Sequence, residues 1–190
     1  MKAFKYFISL LIFSSFSYGN PVETGHAKVS LVKYDTSLSA KNELFIGIKM
    51  DMQKNWHTYW KNPGDSGGPI NAVWSLPKNV TIEGPLWPTP QLLPYPPLMT
   101  YGYKDFVIFP YKILYKDIND LTFIEADIDF LICDDVCVPE KANIKSIFEN
   151  LEETLVLEEW ISKVPNTIYP VLGNQAKEFL EIRFSYNNKM

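Results

Sequence analysis

The stretch Leu44-Phe45-Ile46-Gly47-Ile48-Lys49-Met50 sets Leu44, Ile46, Ile48 and Met50 on one face of an extended chain. Period-2 alternation with β-branched residues reads as a half-buried strand. On either side the pattern recurs. Residues 26–34 alternate Ala27, Val29 and Leu31 against Lys28 and Ser30, and 70–76, 106–115, 121–132 and 142–148 are similar runs of strand length. Ten of the 14 prolines fall between Pro63 and Pro110, which forbids long helices there and confines regular pairing to edges.

Several short strands, Gly/Pro turns and no alternating helices predict an all-β fold, an antiparallel sandwich that is immunoglobulin-like in outline. One helix is expected near the end. Asn150 would cap it, Leu151, Leu155, Trp160 and Ile161 would line one face, and Pro165 would stop it. Residues 176–186 read as a strand that starts a further, incomplete segment. The expected organisation is a leader over 1–19, the sandwich over 20–149, and a helix plus the start of a truncated segment over 150–190.

At the N-terminus Lys2 and Lys5 precede an apolar run from Tyr6 to Phe13, and Ser17 and Gly19 stand at −3 and −1 of a cut before Asn20. A charged start, a short apolar stretch and a small-x-small end make a secretory signal peptide. The run is shorter than the ~20 residues of a membrane span. The mature chain is therefore expected to be exported to a compartment where disulfides persist. Of the 190 residues 46% are hydrophobic and 21% charged, which excludes a disordered or collagen-like chain. The net charge is −4 with no basic cluster, a poor basis for binding nucleic acid. Two Cys and two His are too few for a zinc-finger class, and Arg183 is the only arginine, which argues against a site built on a rigid guanidinium fork.

The two cysteines, Cys133 and Cys137, are three residues apart in Ile132-Cys133-Asp134-Asp135-Val136-Cys137-Val138-Pro139-Glu140. In a fully extended chain their Cα atoms would lie ~13 Å apart. A disulfide needs them within about 7 Å. If they pair, residues 134–136 must fold back as a tight turn, for which Asp-Asp is suited, and Pro139 would keep the ladder from resuming at once. So short a ring contributes only ~2 kcal/mol in the chain-entropy estimate, which makes it a weak staple. It makes a good two-electron switch, because the sulfurs stay close when reduced. A structural bond, zinc and Cu(I) are the alternatives; no second ligand pair supports zinc, whereas two soft thiolates suit Cu(I). Asp134 and Asp135 place like charge beside the sulfurs, which would raise the thiol pKa and slow adventitious exchange, or they simply make the turn.

Three segments, in order, carry a resemblance to a known family: Trp56-His57-Thr58-Tyr59-Trp60-Lys61-Asn62-Pro63-Gly64-Asp65-Ser66-Gly67, then Leu86-Trp87-Pro88-Thr89-Pro90 followed by Tyr101-Gly102-Tyr103, then the cysteine segment ending Val138-Pro139-Glu140. The chain resembles the N-terminal periplasmic domain of DsbD-type and ScsB-type thiol:disulfide interchange proteins, the ScsB branch more closely by its cysteine spacing. The resemblance implies an immunoglobulin-like periplasmic domain with one redox-active pair, Cys133 and Cys137, and no cofactor or metal. It implies a protein-disulfide reductase module that takes two electrons from a membrane-embedded donor. Those electrons go to oxidised periplasmic thioredoxin-fold partners, serving disulfide isomerisation or cytochrome c maturation. It also implies an aromatic cap over the pair, and Tyr101 and Tyr103 lie in the corresponding segment, although the acidic-aromatic cap sequence of the DsbD branch is absent. The family's membrane and thioredoxin domains are not in this chain, so a stand-alone module or one piece of a split gene is expected. In another class, the chain would be an exported binding module with a structural disulfide, its aromatics holding a ligand.

The remaining motifs read as structural. The aromatics of 56–60 suit a sandwich core and its corner, and His57, with no second histidine or nucleophile pattern nearby, reads as a core or turn residue. Gly64, Gly67 and Gly68 can supply positive φ to the loop after it, whose Gly-Asp-Ser-Gly has nothing else of a serine protease around it. Glu140 is a minor candidate for proton transfer.

Overall fold

The computed structural model describes residues 19–34 and 42–165. The leader over 1–18 and the strand expected at 176–186 lie outside the described residues. Twelve strands and one short helix are described: β1 (Val22–Glu23), β2 (Ala27–Tyr34), β3 (Glu43–Met52), β4 (His57–Gly64), β5 (Asn71–Ser75), β6 (Val80–Glu83), β7 (Gln91–Tyr95), β8 (Leu98–Lys104), β9 (Phe106–Tyr115), β10 (Phe123–Cys133), β11 (Cys137–Ile147), β12 (Glu152–Glu153) and α1 (Val156–Ser162). They form two sheets, as the alternation predicted. One runs β1-β2-β3-β9-β6, with β12 pairing in parallel along the rest of the β2 edge; the other runs β11-β10-β4-β8-β7, with β5 also pairing β10.

The inner faces follow from period 2. On β3 Leu44, Ile46, Ile48 and Met50 are buried, and on β10 Ile124, Ala126, Ile128, Phe130 and Ile132 are buried against them in one core. The odd positions of β10 therefore face outward, and Cys133 is one of them. The prolines sit where a missing N–H is tolerated. Pro94 and Pro139 lie in the outer strands β7 and β11, and Pro110 lies on β9 beyond the residues that pair with β6.

Two local expectations are corrected. Pro139 does not interrupt the ladder: β11 begins at Cys137, and Pro139 pairs with Leu131. The helix does not begin at Asn150. Residues 148–150 form a 3-10 turn, β12 follows along β2, and α1 starts at Val156 with Thr154 Oγ1 accepting from the Val156 N–H. Tertiary pairing outcompeted the local cap signal, and Leu155, expected on the buried face, is 76% exposed. Leu151, Leu157 and Trp160 do join the core. Leu157 sits over Gly47, where any Cβ would collide with Ile108 and crowd Leu157.

Candidate redox site

Cys133 and Cys137 are joined, with S–S 2.08 Å and Cα–Cα 4.1 Å. They are the last cross-strand pair of the β10–β11 ladder, and residues 134–136 make the turn, closed by the Asp134 N–H donating to the Val136 carbonyl at 3.2 Å. On its other edge Cys133 is registered with His57 of β4, and His57 with Lys104 of β8. Directly opposed residues share a face of a sheet, with Cβ atoms about 4.5–5.5 Å apart. Cys137, Cys133, His57 and Lys104 thus form a row across four strands on the outer face. The bond lies outside the core between the sheets.

Tyr59, two residues along β4 from His57, shares that face. Its hydroxyl donates to Cys133 Sγ at 2.9 Å and lies 3.2 Å from Cys137 Sγ. Burial pushes the Tyr59 pKa up, opposed by a bond with Ser66, so the group stays a protonated donor. The loop after β4 holds the ring. Gly67, at φ +94°, lies so close that a Cβ would enter the Tyr59 ring. Asp65 fastens this loop to the β7–β8 hairpin: its N–H donates to the Met99 carbonyl at 3.1 Å, and its Oδ2 accepts from the Met99 N–H at 2.8 Å.

Beside the bond is a cleft of about 370 Å³, lined by His57, Tyr59, Ser66, Lys104, Asp134 and Asp135 and by Leu93, Tyr95 and Leu98 of the β7–β8 hairpin. The two sulfur-bearing residues differ: Cys133 is 1% exposed, whereas Cys137 is exposed. Asp134 and Asp135 are both exposed and line the cleft.

Tyr101 and Tyr103 do not line the cleft. On β8 they alternate with Leu98, Thr100 and Lys104, which do, so they face the other way. Tyr103 is in the core, its hydroxyl donating to the Pro88 carbonyl at 2.7 Å and its ring against Phe109 and Trp160. The shielding role expected of these two tyrosines is corrected: Tyr59 is the tyrosine that contacts the sulfurs. Sequence reading missed Tyr59 because its partners are 74 and 78 residues away. The available signal was parity, since His57 and Tyr59 alternate with Trp56, Thr58 and Trp60. Glu140 is also apart from the sulfurs. It points inward, buried, with its Oε1 2.5 Å from His26 Nδ1 and its Oε2 accepting from the His26 N–H at 3.3 Å, while His26 stacks on Trp56 at 3.7 Å.

Comparisons with known proteins bear on the family and the fold. The family model described as "Thiol:disulfide interchange protein DsbD, N-terminal" matches residues 28–149. No curated protein matches. Among solved structures, the N-terminal periplasmic domain of ScsB from Proteus mirabilis superposes with a TM-score of 0.55 at 20% identity, over 74% of this chain and 55% of that one. This chain thus spans about half the length of that relative. The yeast GGA1 GAE domain superposes with a TM-score of only 0.36 at 10% identity, over 66% of this chain and 95% of that one. The sandwich, the outward cysteine pair and a family match across both sheets lead to one conclusion: the chain belongs to the family of N-terminal domains of DsbD thiol:disulfide interchange proteins.

Proposed function

We propose that this domain is a protein-disulfide reductase module that carries two electrons on Cys133 and Cys137, with Cys137 as the attacking sulfur. The observation that carries this is the asymmetry of the pair, one sulfur-bearing residue exposed at a cleft and the other enclosed. In the reduced module the Cys137 thiolate attacks one sulfur of a partner disulfide. A Cys137–partner bond forms, the partner's S–S bond breaks, and its second sulfur leaves as a thiolate and is protonated. The Cys133 sulfur then attacks Cys137 Sγ, restores the internal bond and expels the partner as a dithiol. Two thiols are oxidised and one disulfide is reduced.

Exposed Tyr95, Leu98 and Val136 beside the cleft suit an apolar partner surface around its reactive bond. The acceptors are oxidised periplasmic thioredoxin-fold proteins of the disulfide-isomerisation or cytochrome c maturation systems, and a membrane-embedded DsbD/ScsB-type protein supplies the electrons. The periplasmic origin of the ScsB relative and the signal-like leader support export, with cleavage near Gly19 and Asn20. Among the described residues no helix is long and apolar enough to cross a membrane. The functional unit in this reading is the sandwich over 20–149, followed by the helix α1.

The test is trapping. Cys133→Ser, reduced and mixed with an oxidised thioredoxin-fold isomerase, should accumulate a covalent complex that dithiothreitol dissolves, and Cys137→Ser should not. Accumulation with Cys137→Ser alone would reverse the assignment, and accumulation with neither would remove the reductase function.

A further inference from the structure

We propose that His57 is the proton acceptor for the enclosed Cys133 thiol in the step that closes the disulfide and releases the partner. This assignment rests on the interchange function and names a residue for its second half. The geometry carries it. His57 is the cross-strand neighbour of Cys133, on the same outer face, and lines the same cleft. Its ring meets that of Tyr59 edge-on, with centroids 5.3 Å apart, and the Tyr59 hydroxyl touches both sulfurs.

Cys133 needs such a group. A thiol enclosed in protein resists ionisation, and the carboxylates of Asp134 and Asp135 disfavour a thiolate further. Nothing obliges the exposed Cys137 to share the problem, since water can take its proton. The groups that face His57 are Asp134 and Asp135 from the turn, Lys104 from β8 and Tyr59 from its own strand. Hydroxyls and a lysine ammonium are donors here, and a carboxylate is a weaker base than an imidazole. Burial lowers the His57 pKa, Asp134 raises it and Lys104 lowers it, with a net shift downward that leaves the imidazole unprotonated and receptive at neutral pH. Once protonated, it is a cation within the field of Asp134 and one strand across from the residue whose sulfur has just become an anion.

The step balances. The Cys133 Sγ–H bond breaks and its proton passes to the imidazole. The sulfur's electron pair forms the bond to Cys137 Sγ, and the bond between Cys137 and the partner sulfur breaks. The electron pair leaves on that sulfur as a thiolate, which is reprotonated from the imidazolium or from water. The two protein sulfurs end as a disulfide and the partner sulfur ends reduced.

Glutathione disulfide is the probe, because it reacts with the reduced full chain in two resolvable steps: capture by Cys137, read as the glutathionylated protein by mass, and closure, read as its decay. In the wild type the closure rate should level off as pH rises through the imidazole's titration. In His57→Gln closure should fall at least tenfold relative to capture at neutral pH, should rise tenfold per pH unit as hydroxide takes over, and should recover on addition of free imidazole. A wild-type closure rate that climbs tenfold per pH unit throughout overturns the assignment without any variant. So does closure in His57→Gln that keeps its wild-type ratio to capture. Capture with closure indifferent to His57 removes only this role, whereas a reduced wild type that neither captures glutathione disulfide nor reduces an oxidised thioredoxin-fold protein removes the interchange function as well.

Discussion

A phenol hydroxyl aimed at sulfur is placed to stabilise a thiolate there. Tyr59 donates to Cys133 Sγ in the oxidised protein, and the same donor meets a thiolate when the bond opens. Hydrogen bonds to charged groups contribute about 1.5–3 kcal/mol, and a pKa unit is about 1.4 kcal/mol. Tyr59→Phe should therefore raise the Cys133 thiol pKa by about one unit or more. The measurement is the pH dependence of alkylation in a Cys137→Ser background, and an unchanged midpoint would mean that the hydroxyl does not serve the thiolate. Tyr111 presents the opposite case. Its hydroxyl is buried with no partner among the described residues, and its ring lies edge-on to Trp74 at 4.9 Å. Tyr111→Phe removes an unpaired polar group, so urea denaturation at neutral pH should show stability unchanged or increased. A loss beyond about 1 kcal/mol would mean that the hydroxyl is satisfied.

At the level of elements, the loop after β4 fixes the geometry of the site. Gly67 allows the loop to lie against the Tyr59 ring, and Asp65 ties it to the hairpin that lines the cleft. Gly67→Ala adds a methyl group where the ring already sits, at a φ that disfavours side chains. It should cost about 1–3 kcal/mol in chemical denaturation and loosen the tyrosine from the sulfurs. Wild-type stability in that variant would mean that ring and loop are free to part. These elements also mark what was legible in the sequence. Alternation located β2, β3, β5, β9 and β10, because period 2 is a local property, and on β3 its parity also named the buried Leu44, Ile46, Ile48 and Met50; on β2 Ser30 and Val32 are buried as well, and on β9 residues 107–111 are buried without alternation. The cysteine turn was legible for the same reason, since three residues must reverse the chain if the sulfurs are to meet. The cover was not legible, because it depends on which strand lies beside which. Tyr103, expected to shield the pair, belongs to the core, and Tyr59, in a stretch that looked like core, contacts both sulfurs. The cap of α1 was misread because Asn150 carries a strong local signal, yet the chain gains more by laying β12 along β2 before it turns into the helix.

Across the whole molecule, the redox bond and the hydrophobic core are separate. The core spans both sheets, and Cys133 and Tyr59, though buried, are not part of it. Reducing the disulfide should therefore lower stability by only about 2 kcal/mol and leave a cooperative transition, checked by denaturing oxidised and reduced protein in parallel. A noncooperative or unfolded reduced form would make the bond structural. Ionisation bears on the whole fold from the alkaline side. Burial pushes the pKa values of Tyr59, Tyr103 and Tyr111 up. As pH climbs, the unfolded chain gives up its phenolic protons first. Their contribution is thus complete below about pH 10 and declines above it. Because the cysteines are the final rung of an eleven-rung ladder, the ten rungs behind them keep β10 and β11 in register whichever way the electrons stand. On the proposed function, a docking protein must tell the oxidised domain from the reduced one. The residues whose tether changes with the state of the sulfurs are Asp134, Asp135 and Val136, which the disulfide closes into an exposed turn.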